Sequence, residues 1–387
     1  MWSLSKANGQ RSRVMKHFDE AGAVSLLLDA VRIYSPTGRE GAVSRFFSEA
    51  MKSHGFRRVR TDSAGNAIGD SGRGRIRVLL SGHMDTVPGR IPVLYRDGRL
   101  SGRGSVDAKS PMCAMLVSAS RFIDDPDLLL TVACTTGEEA DSVGIRTVMK
   151  NGPGYDFAVF GEPGGSGRVT VGYRGRMTLQ VSLKTEGGHA GSSWAHRNAF
   201  DEASDLVALL RDYGHVGNGG GDHYRSHSIS PTLFEAGEYH NVVPGHARFT
   251  CDVRIPPKSD CEAVKKDLEA LIDDFSRSKG IKVGHQFGDQ TDPYEVPVSS
   301  LLVRAFQRGI ILKIGSRPVL LRKTGTGDMN TFASVKKVEC VTYGPGDAGL
   351  SHTSRESVGV DDYLQSIEVM TEALRQIKQL SFWKPNV

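Results

Sequence analysis

Five separated stretches of this chain follow one pattern: an apolar or turn-forming run, a few small residues, and then a side chain of metal-binding type. Arg75-Ile-Arg-Val-Leu-Leu-Ser-Gly82 leads to His83 and Asp85, and the glycine-rich turn from Ser101 leads to Asp107. Leu128 to Cys134 precedes Glu138 and Glu139, Asp156-Phe-Ala-Val-Phe-Gly161 precedes Glu162, and Tyr343-Gly-Pro-Gly-Asp-Ala-Gly-Leu-Ser precedes His352. Leucine and β-branched runs of this length pair in a sheet and release their polar residues at the carboxyl end, where open α/β sheets hold their active sites. Histidines and carboxylates delivered in this way form a donor set for a pair of divalent ions, which points to a hydrolase.

Each residue type has a chemical reason to be there. His83 offers a neutral imidazole nitrogen, and Asp85, two residues on and so on the same side of an extended segment, can accept the other ring N–H and fix the tautomer. Asp107 sits in a turn-permitting stretch, Ser101-Gly-Arg-Gly-Ser-Val-Asp107, and a carboxylate there can be shared by two cations. Glu138 and Glu139 are neighbours whose side chains diverge, so one can bind metal while the other faces the attacking water. With Glu162 and His352 the set leaves open positions for water and substrate, as catalytic zinc sites require. Taken singly, a histidine at a strand end is usually structural and an Asp in a glycine-rich turn usually makes an Asx-turn. The fivefold recurrence is what decides for a site.

The segments Gly82-His-Met-Asp-Thr-Val-Pro88, Gly102-Arg-Gly-Ser-Val-Asp107, Gly137-Glu-Glu139, Gly161-Glu-Pro163 and Ser351-His-Thr353 resemble those of the zinc aminoacylase and carboxypeptidase family of co-catalytic metallohydrolases. That family includes acetylornithine deacetylases and succinyl-diaminopimelate desuccinylases. The resemblance implies that Asp107 bridges two ions, zinc being expected and cobalt or manganese accepted by the same ligands. It also implies that His83 and Glu162 complete one metal, Glu139 and His352 the other, that Glu138 is the general base, and that Asp85 orients His83. Ile33-Tyr-Ser-Pro-Thr-Gly-Arg-Glu40, Val87-Pro-Gly-Arg-Ile-Pro92, Val106-Asp-Ala-Lys109, Lys323-Thr-Gly-Thr-Gly-Asp-Met-Asn330 and Tyr343-Gly-Pro-Gly-Asp347 are similar to hydrolases that release lysine or ornithine from a small acidic amino-group carrier protein of LysW type. Gly327 and Ser110 depart from that pattern, at positions where Ser and Gly are expected.

At 387 residues the chain is long for one core, so two domains are expected. Strands and helices alternate through residue 166. Residues 167–287 change texture to a β–α–β–β–α–β order, and residues 288–387 return to the first sheet. The fold expected is therefore α/β: a mixed-sheet catalytic domain, 1–166 and 288–387, carrying the two metals and interrupted by a smaller ferredoxin-like α+β insert, 167–287, that serves as lid and dimerisation domain. Thr37-Gly-Arg-Glu40 reads as a capping box opening a second helix. Forty-nine Lys and Arg against 44 Asp and Glu leave a net charge of +5, which calls for no nucleic acid and suits an acidic protein partner. No apolar run is long enough to cross a bilayer, and the basic first sixteen residues lack the apolar core of a signal peptide and read as a frayed tail. Five scattered cysteines without a Cys-x-x-Cys spacing argue against sulfur ligation and for the cytoplasm.

In the insert, Gly187-Gly-His189-Ala-Gly191 sets a histidine among residues without bulk, which suits donation to a developing oxyanion. The resemblance implies that His189 reaches the site of the partner subunit in a homodimer, and that Asn241 and Arg254 hold the amide and carboxylate of the substrate; an arginine fork binds a carboxylate bidentately. Other features read as structural. Gly102 to Ser110 lacks the glycine before Lys109 that a phosphate loop needs. The tract of His215, His223 and His227 around Gly217–Gly221 reads as a surface loop, and Arg174 and Arg176 as a solvated strand face. The chemistry expected is metal-assisted amide hydrolysis. The rivals are a deacylase of free N-acyl amino acids and a catalytically silent, metal-binding dimer.

Overall fold

The computed structural model describes residues 18–215 and 221–382. The basic tail (1–16) and residues 216–220 of the glycine tract, both read above, lie outside the described residues. The chain divides into two compact units: Met1–Val169, Arg304–Val319 and Thr342–Val387 form the first, Thr170–Val303 and Leu320–Val341 the second.

The first unit opens with α1 (Glu20–Arg32), whose first turn is capped by the Asp19 carboxylate on the Gly22 N–H. In α2 (Gly41–Ser53), Val43, Phe47 and Met51 fall four residues apart and are fully buried, the apolar stripe that holds the helix to the unit. The expected capping box does not form. The helix starts after Glu40, whose carboxylate instead accepts the Gly38 N–H, and the Thr37 hydroxyl turns away to the buried carboxylate of Asp85 at 2.9 Å. A helix end near the surface can borrow water for its N–H groups, whereas a buried carboxylate oxygen cannot, so the hydroxyl goes where its absence would cost more.

Then come β1 (Arg57–Thr61), β2 (Ala67–Gly72), β3 (Ile76–His83), the short β4 (Leu94–Arg96) and β5 (Arg99–Ser101), α3 (Lys109–Ser120), β6 (Leu128–Thr135), α4 (Val143–Asn151) and β7 (Phe157–Gly161). The main strands run in the order β1-β2-β6-β3-β7; β3 is parallel to β6 and β7, and β2 is antiparallel to β6, so the sheet is mixed. Val78, Leu79 and Leu80 of β3 are all fully buried, the continuous apolar run of a strand covered on both faces. Register fixes the ends. Gly82 lies opposite both Cys134 and Gly161, and His83 opposite Thr135, so three parallel strands finish together.

The second unit contains a motif of β9 (Gly175–Lys184), α5 (Ala199–His215), β11 (Ser228–Ala236), β13 (His246–Ile255), α6 (Cys261–Lys279) and β14 (Lys282–Thr291), with β8 (Arg168–Tyr173) leading in and the pair β10 (Gly188–His189) and β12 (Val242–Val243) between its elements. The sheet order β11-β13-β9-β14, antiparallel throughout, is the ferredoxin-like arrangement. Strict alternation creates it: Leu179, Val181 and Leu183 of β9 and Phe249, Cys251 and Val253 of β13 pack with Leu206, Leu210, Leu268 and Ile272 of the helices. Each such fully buried Leu or Ile contributes roughly 1.5–3 kcal/mol. The residues between them, Gln180, Ser182 and Arg248 among them, face solvent.

Arg174 departs from its expected solvated place. It is buried, and its guanidinium donates to the Thr324 carbonyl at 3.1 Å and to the Ser228 hydroxyl at 3.1 Å. Loop carbonyls with no strand partner need a donor, and a forked side chain serves several at once. Arg176 does remain partly exposed, paired with Asp252 at 2.7 Å.

β15 (Tyr294–Glu295), α7 (Leu301–Ile314), β16 (Val319–Lys323), α8 (Asp328–Lys336) and β17 (Glu339–Thr342) follow, and β18 (Ser357–Gly359) and α9 (Val360–Phe382) complete the first unit. β18 pairs with β5 in a small sheet of order β18-β5-β4. α9 lies on α3, where the Ser118 hydroxyl donates to the Ile367 carbonyl at 3.1 Å and Arg121 pairs with Glu368 at 2.6 Å.

Candidate metal centre

His83 closes β3, Glu162 follows the last residue of β7, and Glu138 and Glu139 stand on the turn after β6, so the common end of three parallel strands supplies four of the expected residues. Asp107 comes from the loop between β5 and α3. Gly104 in that loop has φ +85°, and a Cβ there would meet Thr86 Cγ2 at 2.9 Å and Lys109 Cδ at 3.0 Å, so only glycine lets the loop close on the strand ends. The peptide between Asp107 and Ala108 is cis. His352 is itself held in the left-handed region, φ +63°, on the turn after Ala348–Leu350.

These residues converge. One ligand atom each from His83, Asp107 and Glu139 falls within 4.8 Å of the others. The two oxygens of Asp107 face opposite ways: Oδ1 is 3.1 Å from His83 Nε2, and Oδ2 is 3.4 Å from His352 Nε2. Glu162 Oε1 is 3.9 Å from His83 Nε2, and Glu139 Oε1 is 2.9 Å from His352 Nε2. The donors thus sort into two sets, His83 with Glu162 and His352 with Glu139, that share one carboxylate. Donor separations of this size suit ligands drawn about 2.0–2.2 Å from a common ion.

Asp85 organises the site differently from its expected part. His83 Nδ1 does turn toward it, but the hydrogen-bonding atom is the Asp85 main-chain carbonyl at 3.0 Å, with the nearer carboxylate oxygen at 3.6 Å. The carboxylate accepts the main-chain N–H groups of Glu138 and Glu139, each at 3.2 Å, and the Thr37 hydroxyl. It therefore sets the turn from which both glutamates project.

The electrostatics are those of a place built for positive charge. Burial alone would depress His83, yet hydrogen bonds to Asp107 and Asp85 and the charge of Glu138 hold its imidazole well above the usual range. Asp107 is lowered in spite of its burial by its hydrogen bond to His83 and by the charges of His83 and His352. Glu139 is raised, by burial and then by the Asp107 charge, against the pull of His83 and His352. Crowded carboxylates that hold protons on an imidazole present the negative field that divalent cations neutralise. The residues present fit two such ions.

Sequence reasoning missed the supports. Glu356 is buried and its carboxylate accepts the N–H groups of Val106 at 3.0 Å and Asp107 at 3.1 Å and a donation from Arg103 at 2.8 Å. Lys109 is buried and donates to the carbonyls of Ala30 at 3.1 Å and Ile33 at 2.5 Å; burial pulls it down to about 8.

In the second unit, His189 and Asn241 are brought together. β10 pairs with β12, so His189 lies opposite Val242, and the Ala190 N–H donates to the Asn241 carbonyl. His189 is exposed, and its Nδ1 accepts the Gly191 N–H at 3.0 Å, which leaves the proton of the neutral ring on Nε2, a donor. Arg254 grips Asp252 through Nε at 2.6 Å, while its buried Nη1 has no hydrogen-bond partner among the described residues.

A mixed α/β sheet with a shared carboxylate between two histidine–glutamate sets defines a metal-dependent hydrolase. Residues 79–376 match the model of peptidase family M20/M25/M40, and the chain belongs to that family. It is 31% identical over 352 residues to the LysW-lysine/LysW-ornithine hydrolase of Sulfurisphaera tokodaii, covering 91% of this chain and 94% of that protein. It is 32% identical over 369 residues to the LysW-lysine hydrolase of Deinococcus radiodurans, covering 93% and 98%. Among solved structures, aminopeptidase PepT of Bacillus cereus shares the fold, with a TM-score of 0.80 at 18% identity over 93% of this chain and 99% of that one.

Proposed function

We propose that this protein hydrolyses the amide that joins the γ-glutamyl C-terminus of a LysW-type amino-group carrier protein to the α-amino group of lysine or ornithine, in the biosynthesis of lysine and arginine. The observation that carries the reading is Asp107, whose two oxygens face His83 and His352. In it, Asp107, His83 and Glu162 hold one divalent ion, zinc before cobalt or manganese, and Asp107, Glu139 and His352 hold a second. When bound, the pair supplies Lewis acidity and a water of lowered pKa. Glu138 takes the proton of the attacking water and returns it to the leaving amine, a task open to it because it is not needed as a ligand. Asp85 fixes the turn that aims Glu138.

The first unit is the catalytic domain in this proposal, and the ferredoxin-like segment is the lid and dimerisation domain of a homodimer. His189, through Nε2–H, stabilises the oxyanion in the partner subunit's site, Arg254 takes the α-carboxylate of the released amino acid with its unpartnered nitrogen, and Asn241 binds the amide. The cytoplasm is the compartment: all five cysteines are buried and free, and no helix among the described residues is long and apolar enough to cross a membrane. The test is a metal determination with a side-by-side assay on carrier-linked lysine, carrier-linked ornithine, acetylornithine and succinyl-diaminopimelate. A clear preference for either free substrate would replace this reading with that of a small-molecule deacylase.

A further inference from the structure

Three guanidinium groups gather at one end of the ferredoxin-like sheet. Arg176 of β9 lies directly opposite Arg254 of β13, and Ser228 of β11 lies opposite Arg254 on its other side. The Ser228 hydroxyl accepts from Arg174 Nη1 at 3.1 Å, which brings in the third guanidinium. Like charges set opposite one another on paired strands repel. Asp252, two residues before Arg254 and so on the same face of its strand, stands between two of them. Its Oδ1 accepts from Arg254 Nε at 2.6 Å, and its Oδ2 accepts from Arg176 Nε at 2.7 Å and from Arg254 Nη2 at 3.3 Å. Arg174 feels the crowding as well: burial and then the charge of Arg254 pull it below its ordinary range, and the Asp252 charge opposes both.

A guanidinium has two edges that can fork a carboxylate, one made by Nε and a terminal nitrogen and the other by the two terminal nitrogens. Asp252 occupies the first edge of Arg254 through Nε and Nη2. The second edge carries Nη1, which has no hydrogen-bond partner among the described residues. Holding one edge to a neighbour on the same strand fixes the plane of the group and therefore the direction of the other edge. A fork fixed in advance loses less side-chain freedom when it takes an anion. Two guanidiniums sharing one carboxylate, with a third beside them, also leave an excess of positive charge for a second carboxylate to neutralise.

We infer that Asp252 is the positioning residue of a carboxylate subsite, holding Arg254 by its Nε edge so that the edge bearing Nη1 is presented to the α-carboxylate of the amino acid to be released. The inference rests on the proposed role of Arg254 and deepens it. Discrimination between an amino acid and the amine that lacks its carboxylate then belongs to the Asp252–Arg254 pair, and the arginine charge by itself is not enough.

The experiment measures, for each metal-loaded enzyme, the ratio of kcat/KM on carrier-linked lysine to that on carrier-linked cadaverine, the same amine without the α-carboxylate. Nα-acetylornithine and N-acetylputrescine form a second pair of the same design, used if the carrier substrates are not turned over. Arg254→Ala lowers the ratio about tenfold or more, the scale of a hydrogen bond to a charged group. Asp252→Asn lowers it about as far, and Asp252→Glu, which keeps an acceptor for the Nε edge, retains most of it. Arg254→Lys keeps the charge but has no second edge, so its ratio also falls; this variant decides the matter if Asp252→Asn does not fold. A merely structural Asp252 gives equal losses on both substrates and a wild-type ratio. That result, or a wild-type ratio in Arg254→Lys, overturns the inference while a lowered ratio in Arg254→Ala leaves the role of Arg254 intact. A wild-type ratio in Arg254→Ala overturns that role and the inference with it.

Discussion

Replacing Glu356 removes a strut of the loop that carries Asp107, the proposed bridging carboxylate. Glu356 is 1% exposed and has three donors: the main-chain N–H groups of Val106 and Asp107 and the guanidinium of Arg103, itself 10% exposed at the side chain. Alanine there strands a buried arginine, which costs about 3–5 kcal/mol when nothing else helps, and the lower end applies because Arg103 keeps the Gly89 carbonyl. The two orphaned amides add about 1 kcal/mol each at the low end of the usual range, for a total near 5 kcal/mol. That approaches the whole stability of many domains, about 5–15 kcal/mol, so Glu356→Gln is the informative variant. Its remaining amide oxygen still serves both main-chain N–H groups, but the amide nitrogen that replaces the other oxygen is a donor and cannot accept from Arg103, so that charged hydrogen bond is lost, for about 1.5–3 kcal/mol. Metal affinity falls about 10–100-fold in the glutamine variant, the usual result of loosening the partners of a ligand. Guanidinium unfolding at constant slope reads the first number, and titration against a competing chelator reads the second. A glutamine variant within about 0.5 kcal/mol of wild type, beyond the scatter of ordinary surface changes, and with unaltered metal affinity refutes the strut.

Glu138→Gln abolishes turnover while the metal content stays near that of wild type, because a general base is not a ligand; activity within a few-fold of wild type assigns the proton transfer elsewhere. Asp107→Ala loses both ions, as elemental analysis of the purified protein reads directly, and a variant that still holds two per chain removes Asp107 from the bridge. His189→Ala and Glu138→Gln, each inactive alone, regain part of their activity when mixed and allowed to exchange subunits, since one hybrid site then has both residues intact. Proven exchange without recovery places the action of His189 within one chain.

What could be read from the sequence was whatever depends on local order. The alternation in Met177, Leu179, Val181 and Leu183 is a strand whatever lies opposite it, and the apolar runs ahead of His83, Glu138 and Glu162 end where parallel strands must end. What could not be read depends on partners far along the chain. Thr37 resembles a helix cap until Asp85 is beside it. Arg174 resembles a surface cation until the Thr324 carbonyl needs a donor, and Glu356, next to Arg355, resembles half of an exposed ion pair until Arg103 arrives from 253 residues away. In each case a buried acceptor or donor with nowhere else to turn outweighed the nearer, wetter alternative.

His352 and Glu139 meet across 213 residues of chain. In time, this means that the second half of the donor set is made long after the first. A nascent chain that has emerged through β7 holds His83, Asp107, Glu139 and Glu162 but neither His352 nor the Glu356 that steadies Asp107. It also lacks α9, so α3, whose twelve residues are all buried in the finished unit, still shows its apolar side. Until that last helix arrives, the face of α3 that α9 covers stays open to solvent. Under the proposed assignment, occupancy by two ions is therefore a signature of a chain completed past residue 352.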